Sequence, residues 1–128
     1  MSHFTQIKTR IRNLDSLGKA LQDLNIAYER GVVSIRGYQG ETRQGSVVIR
    51  QENGHDVGFA WNGQDYEMIA DLAFWKQPWS VERFVGKVQQ RYAYHTVLTE
   101  SAQKGFNLTS QENREDGTVR LVLQRWAG

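Results

Sequence analysis

A pattern that occurs twice constrains this chain most. A helix-like run closes on a bulky apolar residue, then Asn, then another apolar residue, and a hairpin-like stretch follows. Near the start it is Leu24-Asn25-Ile26, after Leu14, Leu17 and Leu21; near the end it is Phe106-Asn107-Leu108, after Val88, Tyr92, Leu98 and Ala102. Each junction exchanges a helical apolar period for a two-residue one, so helices feed strands directly. The expectation is an α+β fold: a mostly antiparallel sheet of about six or seven strands, with one short and one long helix on one face.

The rest of the chain fills in the order β-α-β-β-β-β-α-β-β across residues 1–128, read as a single domain. Residues 3–12 alternate, with Thr5, Ile7, Thr9 and Ile11 on one side and Gln6, Lys8, Arg10 and Arg12 on the other. Asn13 is placed to cap a helix over 14–24. A strand over 26–36 turns Val33 and Ile35 inward, and Gly37 through Gly45 reads as a flexible loop. Strands follow at 46–51, 56–61 and 65–72, with turns at Asn53-Gly54 and at Asn62-Gly63, the strongest type I′ signal present. Ser80 caps a long helix over 81–104, Trp79 staples against Phe84, and Gly105 sits where a left-handed cap belongs. Val81, Phe84, Val85, Val88, Tyr92, His95, Leu98 and Ala102 mark its buried stripe. Strands over 106–112 and 118–126 meet at Asp116-Gly117. The sequence β-α-β-β can be read from residue 3 and again from residue 65, although little identity joins the two halves.

Size and composition exclude several classes. A chain of 128 residues buries about two thirds of its unfolded surface and needs no staple. The chain has no Cys, which removes disulfides, thiolate zinc sites and thiol nucleophiles. No stretch approaches the ~18 apolar residues of a membrane span. The N-terminus lacks an apolar signal core, so the expected location is the cytoplasm or an equivalent compartment. Sixteen basic residues nearly balance fourteen acidic ones, and a net charge of +2 says little about nucleic acid.

Two candidate sites emerge. Strict alternation points Lys8, Arg10, Arg12, Arg36, Arg50 and Arg120 away from the helices, with Gln6, Gln124, Phe4 and Trp126 on the same parity. Guanidinium groups interleaved with rings suit single-stranded RNA or an acidic protein patch. The ordinary reading is the solvated face of an antiparallel sheet, with Glu67 and Asp71 available to neutralise arginines across a ladder. The second candidate is Phe74, Trp75 and Trp79 around the chain's one Pro, either an exposed protein anchor or a staple and core cap. The three histidines show no helical metal spacing, and the Gly-rich stretch matches neither phosphate-binding fingerprint. No cofactor is expected. A weaker possibility is a ligand or substrate pocket between helix and sheet, around His95, Trp61 and Tyr92.

Three stretches resemble one family: Ser2-His3-Phe4-Thr5-Gln6-Ile7-Lys8-Thr9, then Leu17-Gly18-Lys19-Ala20-Leu21, then Gln90-Arg91-Tyr92-Ala93-Tyr94 through Gly105-Phe106 and Asp116-Gly117. It is the conserved hypothetical chloroplast reading frame family number thirty-five, of cyanobacteria and algal plastids. The resemblance implies a small protein of photosynthetic cells, in cytoplasm or plastid stroma, and supplies no catalytic residue. The expected function is a non-enzymatic binding or assembly module that docks a protein partner. RNA on the basic face is the alternative, and a second copy of the chain is a further candidate partner.

Overall fold

The computed structural model describes residues 3–125. Nine elements run in the order β1 (Thr5–Ile7), α1 (Leu14–Asp23), β2 (Glu29–Arg36), β3 (Thr42–Ile49), β4 (Val57–Trp61), β5 (Tyr66–Ala70), α2 (Val81–Gln103), β6 (Phe106–Asn113) and β7 (Val119–Arg125). The α+β class and the antiparallel pairing are as expected. The strands, however, divide into a five-stranded sheet ordered β1-β5-β4-β3-β2 and a separate β6-β7 ribbon. The ribbon cannot extend the sheet because α2 carries the chain away from it first, and it leans back on that helix instead, with Tyr94 donating to Gln111 at 2.8 Å.

The helix-facing core holds Leu17, Leu21, Val47, Phe59, Met68, Phe84 and Val88, all at most 1% exposed. Asn13 starts α1 by accepting from the Ser16 N–H at 3.0 Å, and Ser80 does the same for α2 with Arg83. Both helices stop on a left-handed residue, Asn25 at φ 58° and Gly105 at φ 84°. Asn tolerates this conformation because its side chain is short and polar. The doubled pattern is therefore real at the level of capping but displaced. Gly105, not Asn107, is the counterpart of Asn25.

Three other expectations change. Residues 8–12 leave the β1 ladder, because the Thr9 hydroxyl turns in to the Tyr66 carbonyl and the Tyr66 N–H reaches back to Ile11 at 2.8 Å. The glycine-rich loop shrinks to a single 3-10 turn at Tyr38–Gly40, and β3 begins at Thr42. The Asn62-Gly63 hairpin is a four-residue loop: Asn62 accepts from the N–H groups of both Gln64 and Asp65 at 2.8 Å, and only Gly63 has positive φ.

The sheet's second face departs furthest from expectation. It is no open polar platform. Ile35, Val48 and Ile69 are fully buried there, with Phe4, Val33 and Ala60 packed around them. Ile35 thus belongs to this second core and not to the helix side. The sheet curls until its edges meet: Phe4, ahead of β1, packs on Gly37, beyond β2, so that a Cβ on Gly37 would lie 2.5 Å from the Phe4 ring. A bulge between Arg30 and Val33 sharpens the curl. Gly58 permits it, since a Cβ there would collide with Ile35 Cδ1. Gly58→Ala should cost about 1–3 kcal/mol by overpacking. In denaturant titrations, pairing it with Ile35→Val should recover part of that loss, and strict additivity would refute the contact.

Candidate functional site

Two of the six singled-out cations are structural. Asp56 sits just before β4 with its carboxylate wholly buried, and it accepts from Arg36 Nε and Nη2 at 2.9 Å each and from the Arg36 N–H at 2.8 Å. Arg50 Nη1 adds a fourth bond at 2.6 Å. Burial works against the Asp56 charge, but the Arg36 and Arg50 bonds overcome it and hold the carboxyl below its ordinary range. Arg50 also meets Glu29 and the Ser34 carbonyl, so its Nε and Nη1 donors are committed within the fold. Neither Glu67 nor Asp71 makes an ion pair among the described residues; Asp71 caps the Ala73 N–H instead. Arg120 lies on β7, in the second sheet, opposite Glu112. Trp126 falls outside the described residues.

The aromatic loop points inward. Trp75 meets the Phe84 ring edge-on at 5.1 Å and donates its indole N–H to the Trp79 carbonyl at 2.8 Å. Trp79 packs on Phe84 as the staple expected of it, with Lys87 over its outer face. Phe74 stacks flat on His55 at 3.8 Å and faces Tyr38 at 5.8 Å. Buried Gln51 ties the loop down, accepting from the Lys76 N–H at 2.9 Å and donating to the Phe74 carbonyl at 3.1 Å. All three rings serve packing in this conformation.

Residues 8–13 form the remaining candidate. Having left the sheet, this segment hydrogen-bonds to α2: the Arg10 N–H donates to Gln89 Oε1 at 3.1 Å, and the Arg12 and Asn13 N–H groups both donate to the Tyr92 hydroxyl at 3.0 and 3.2 Å. Between segment and helix opens a cleft of about 710 Å³ lined by Arg10, Arg12, Asn13, Ser16, Tyr92, Thr96, Thr99, Glu100 and Gln103. Arg10, Tyr92 and Thr96 also border a neighbouring hollow of about 630 Å³. Arg12 pairs with Asp65 at 2.7 Å. Arg10 and Lys8 make no ion pair among the described residues. The six cations therefore separate into a bonded pair (Arg36 and Arg50), a ribbon residue (Arg120), two that line the cleft beside α2 (Arg10 and Arg12), and an exposed Lys8 that does not line it.

The cleft also contains groups that sequence reasoning missed. Among the described residues, Ser16, 6% exposed, makes no hydrogen bond through its hydroxyl, and Thr96 Oγ1 is buried without a partner. Serine and threonine are too common to stand out in a sequence; the Asn13 cap, which fixes where α1 begins, was the one available signal. Tyr92, offered for a helix-sheet pocket, does line this cleft. Its proposed companions do not: Trp61 tilts on Tyr66 in the β4-β5 hairpin, and His95 bonds Asp23 at 2.6 Å beside Arg91. Burial opposes the Asp23 charge, but those two bonds outweigh it and lower the carboxyl's pKa.

The sequence matches, over residues 20–122, the family described as a protein of unknown function (DUF1257), and the chain belongs to that family. It is 44% identical to an uncharacterized protein ycf35 of Guillardia theta over 126 residues, covering 98% of each chain. The proteins of the same name from Cyanophora paradoxa and Pyropia yezoensis are 42% and 38% identical, again over 98% of each chain. No solved structure matches. Among the described residues, no helix is long and apolar enough to cross a membrane.

Proposed function

We propose that this chain is a non-enzymatic binding module of photosynthetic cells, working in the cytoplasm or plastid stroma, that docks an acidic segment of a partner protein between residues 10–16 and α2. One observation carries the reading. Arg10 stands at a polar cleft with no ion pair among the described residues, whereas Arg12, Arg36 and Arg50 already have carboxylate partners. A cation that stabilises nothing within its own chain is free to select a partner of opposite charge. Hydroxyl and amide side chains along the walls, from Ser16, Tyr92, Thr99 and Gln103, suit an extended segment better than an apolar helix. The dispersed cations and inward-facing rings argue against RNA, which needs a continuous basic track with stacking platforms.

A photoreactive amino acid at Gln103, incorporated in the organism of origin, tests this. The expected product is a cross-link to one protein through a stretch rich in Asp and Glu. Arg10→Glu should cut its yield at least about tenfold, since like charges at an interface cost several kcal/mol. Cross-linked RNA, or a yield that Arg10→Glu leaves unchanged, would overturn the proposal.

A further inference from the structure

The cleft's chemistry is uneven from end to end, and that unevenness names what it grips. At its inner end the first turn of α1, ten residues long, presents Asn13 and Ser16. Helix N-termini carry partial positive charge. Here the Ser16 N–H is capped by Asn13 and the Asn13 N–H donates to Tyr92, so side-chain donors, and not the main chain, are left for a ligand. Asp15, the acidic residue of that turn, is engaged by Arg30 at 2.7 Å. Ser16 is the second and independent feature, a residue more than nine-tenths buried that lines the cleft and whose hydroxyl has no hydrogen-bond partner among the described residues. Tyr92 is the third. Its oxygen already accepts two main-chain N–H groups, so its own proton is left for another acceptor. With the Arg10 guanidinium, these groups amount to several donors and no acceptor of matching strength.

Farther along α2 the balance reverses. Glu100 lies eight residues beyond Tyr92, about 12 Å along the helix axis, and brings the one carboxylate among the lining residues.

From this placement we propose that the inner end of the cleft is an oxyanion subsite, built by Ser16, Tyr92, Arg10 and the first turn of α1. It takes a carboxylate or phosphate group borne by the docked segment. Glu100 marks the outer end, where the same segment turns a main-chain N–H or another donor toward the helix. This deepens the docking reading and rests on it. The oxyanion comes either from an Asp or Glu side chain or from a phosphorylated residue, and both sources present the same oxygens to the same donors.

The test is a nuclear magnetic resonance titration of the full chain, labelled with ¹⁵N, using inorganic phosphate and acetate separately. Saturable shifts are expected at the Ser16, Leu17 and Arg10 amides. Ser16→Ala should weaken binding about tenfold, the usual loss of one hydrogen bond to a charged group. Because its hydroxyl supports nothing in the fold, this variant should stay folded. Glu100→Gln, which removes a repulsive charge, should tighten binding several-fold, and Arg120→Ala should change nothing. Saturation by phosphate alone assigns a phosphorylated residue, and saturation by acetate alone or by both assigns a carboxylate partner.

Shifts that do not saturate, or that Ser16→Ala leaves intact, would overturn the subsite. The two readings fail separately. Cross-linking that depends on Arg10 with no Ser16-dependent shift removes only the subsite. A Ser16-dependent shift without Arg10-dependent cross-linking removes only the docking of a protein segment.

Discussion

Asp56→Asn should lower the unfolding free energy by about 2–3 kcal/mol at neutral pH, toward the lower end of what breaking a buried ion pair costs, because both arginines keep part of their hydration. The carboxylate collects four hydrogen bonds from Arg36 and Arg50 and fixes the residue before β4 against the end of β2, where the Asp56 N–H returns a bond to the Arg36 carbonyl at 2.8 Å. Asn retains the shape but not the charge, and its NH₂ must face a guanidinium. The pH dependence follows from the depressed pKa of Asp56. Its stabilising effect is complete above the unfolded carboxyl value of about 3.9 and disappears as pH falls through the lower folded value. The gap between wild type and Asp56→Asn should therefore close on acidification. Denaturant titrations from neutral pH downward measure it directly. A gap that stays constant with pH would show that the charge is not what Arg36 and Arg50 hold.

Phe84→Ala should be the most damaging of the substitutions considered, costing about 3–5 kcal/mol. Phe84 has no solvent exposure and joins three parts of the molecule: the α2 stripe, the helix-facing core, and the aromatic loop. Trp75 meets its ring edge-on, and Trp79 tilts against it at 6.5 Å. Aromatic pairs of this kind add about 0.5–1.5 kcal/mol each beyond the area buried. Removing the ring leaves both tryptophans without their shared partner, so tryptophan fluorescence should shift toward that of exposed indole before global unfolding. Phe84→Leu should recover much of the loss. A cost below about 1 kcal/mol for Phe84→Ala would mean that the loop is held by Gln51 alone and that its rings are available for another purpose.

Both predictions concern residues whose roles were unevenly legible in the sequence. Periodicity located nearly every element, and the staple between Trp79 and Phe84 follows from helix-capping rules alone. Alternation also placed Thr9 and Ile11 correctly on the buried side. It could not show curvature. A flat sheet would have displayed its second face, but Gly45, Gly58 and the β2 bulge let it curl around Ile35, Val48 and Ile69. Nor does alternation show which charges will meet. Arg36 and Asp56 are twenty residues apart, one ending β2 and the other preceding β4, strands that are not neighbours. The stripe of α2 was readable as far as Tyr92; beyond it the helix passes the edge of the core, and His95 finds Asp23 in place of apolar neighbours. The cleft itself depends on this overhang and on residues 8–13 leaving the ladder, and both are products of tertiary contacts.

One comparison separates structural arginines from a recognising one: the yield of the Gln103 cross-link in Arg10→Glu and in Arg50→Gln, each protein being folded at the temperature used. Arg10→Glu should lose the adduct at unchanged thermal stability. Arg50→Gln should be less stable, because Asp56 and Glu29 lose a partner, yet form the adduct as wild type does. If Arg50→Gln abolishes the cross-link while Arg10→Glu keeps it, recognition lies on the sheet and not in the cleft beside α2.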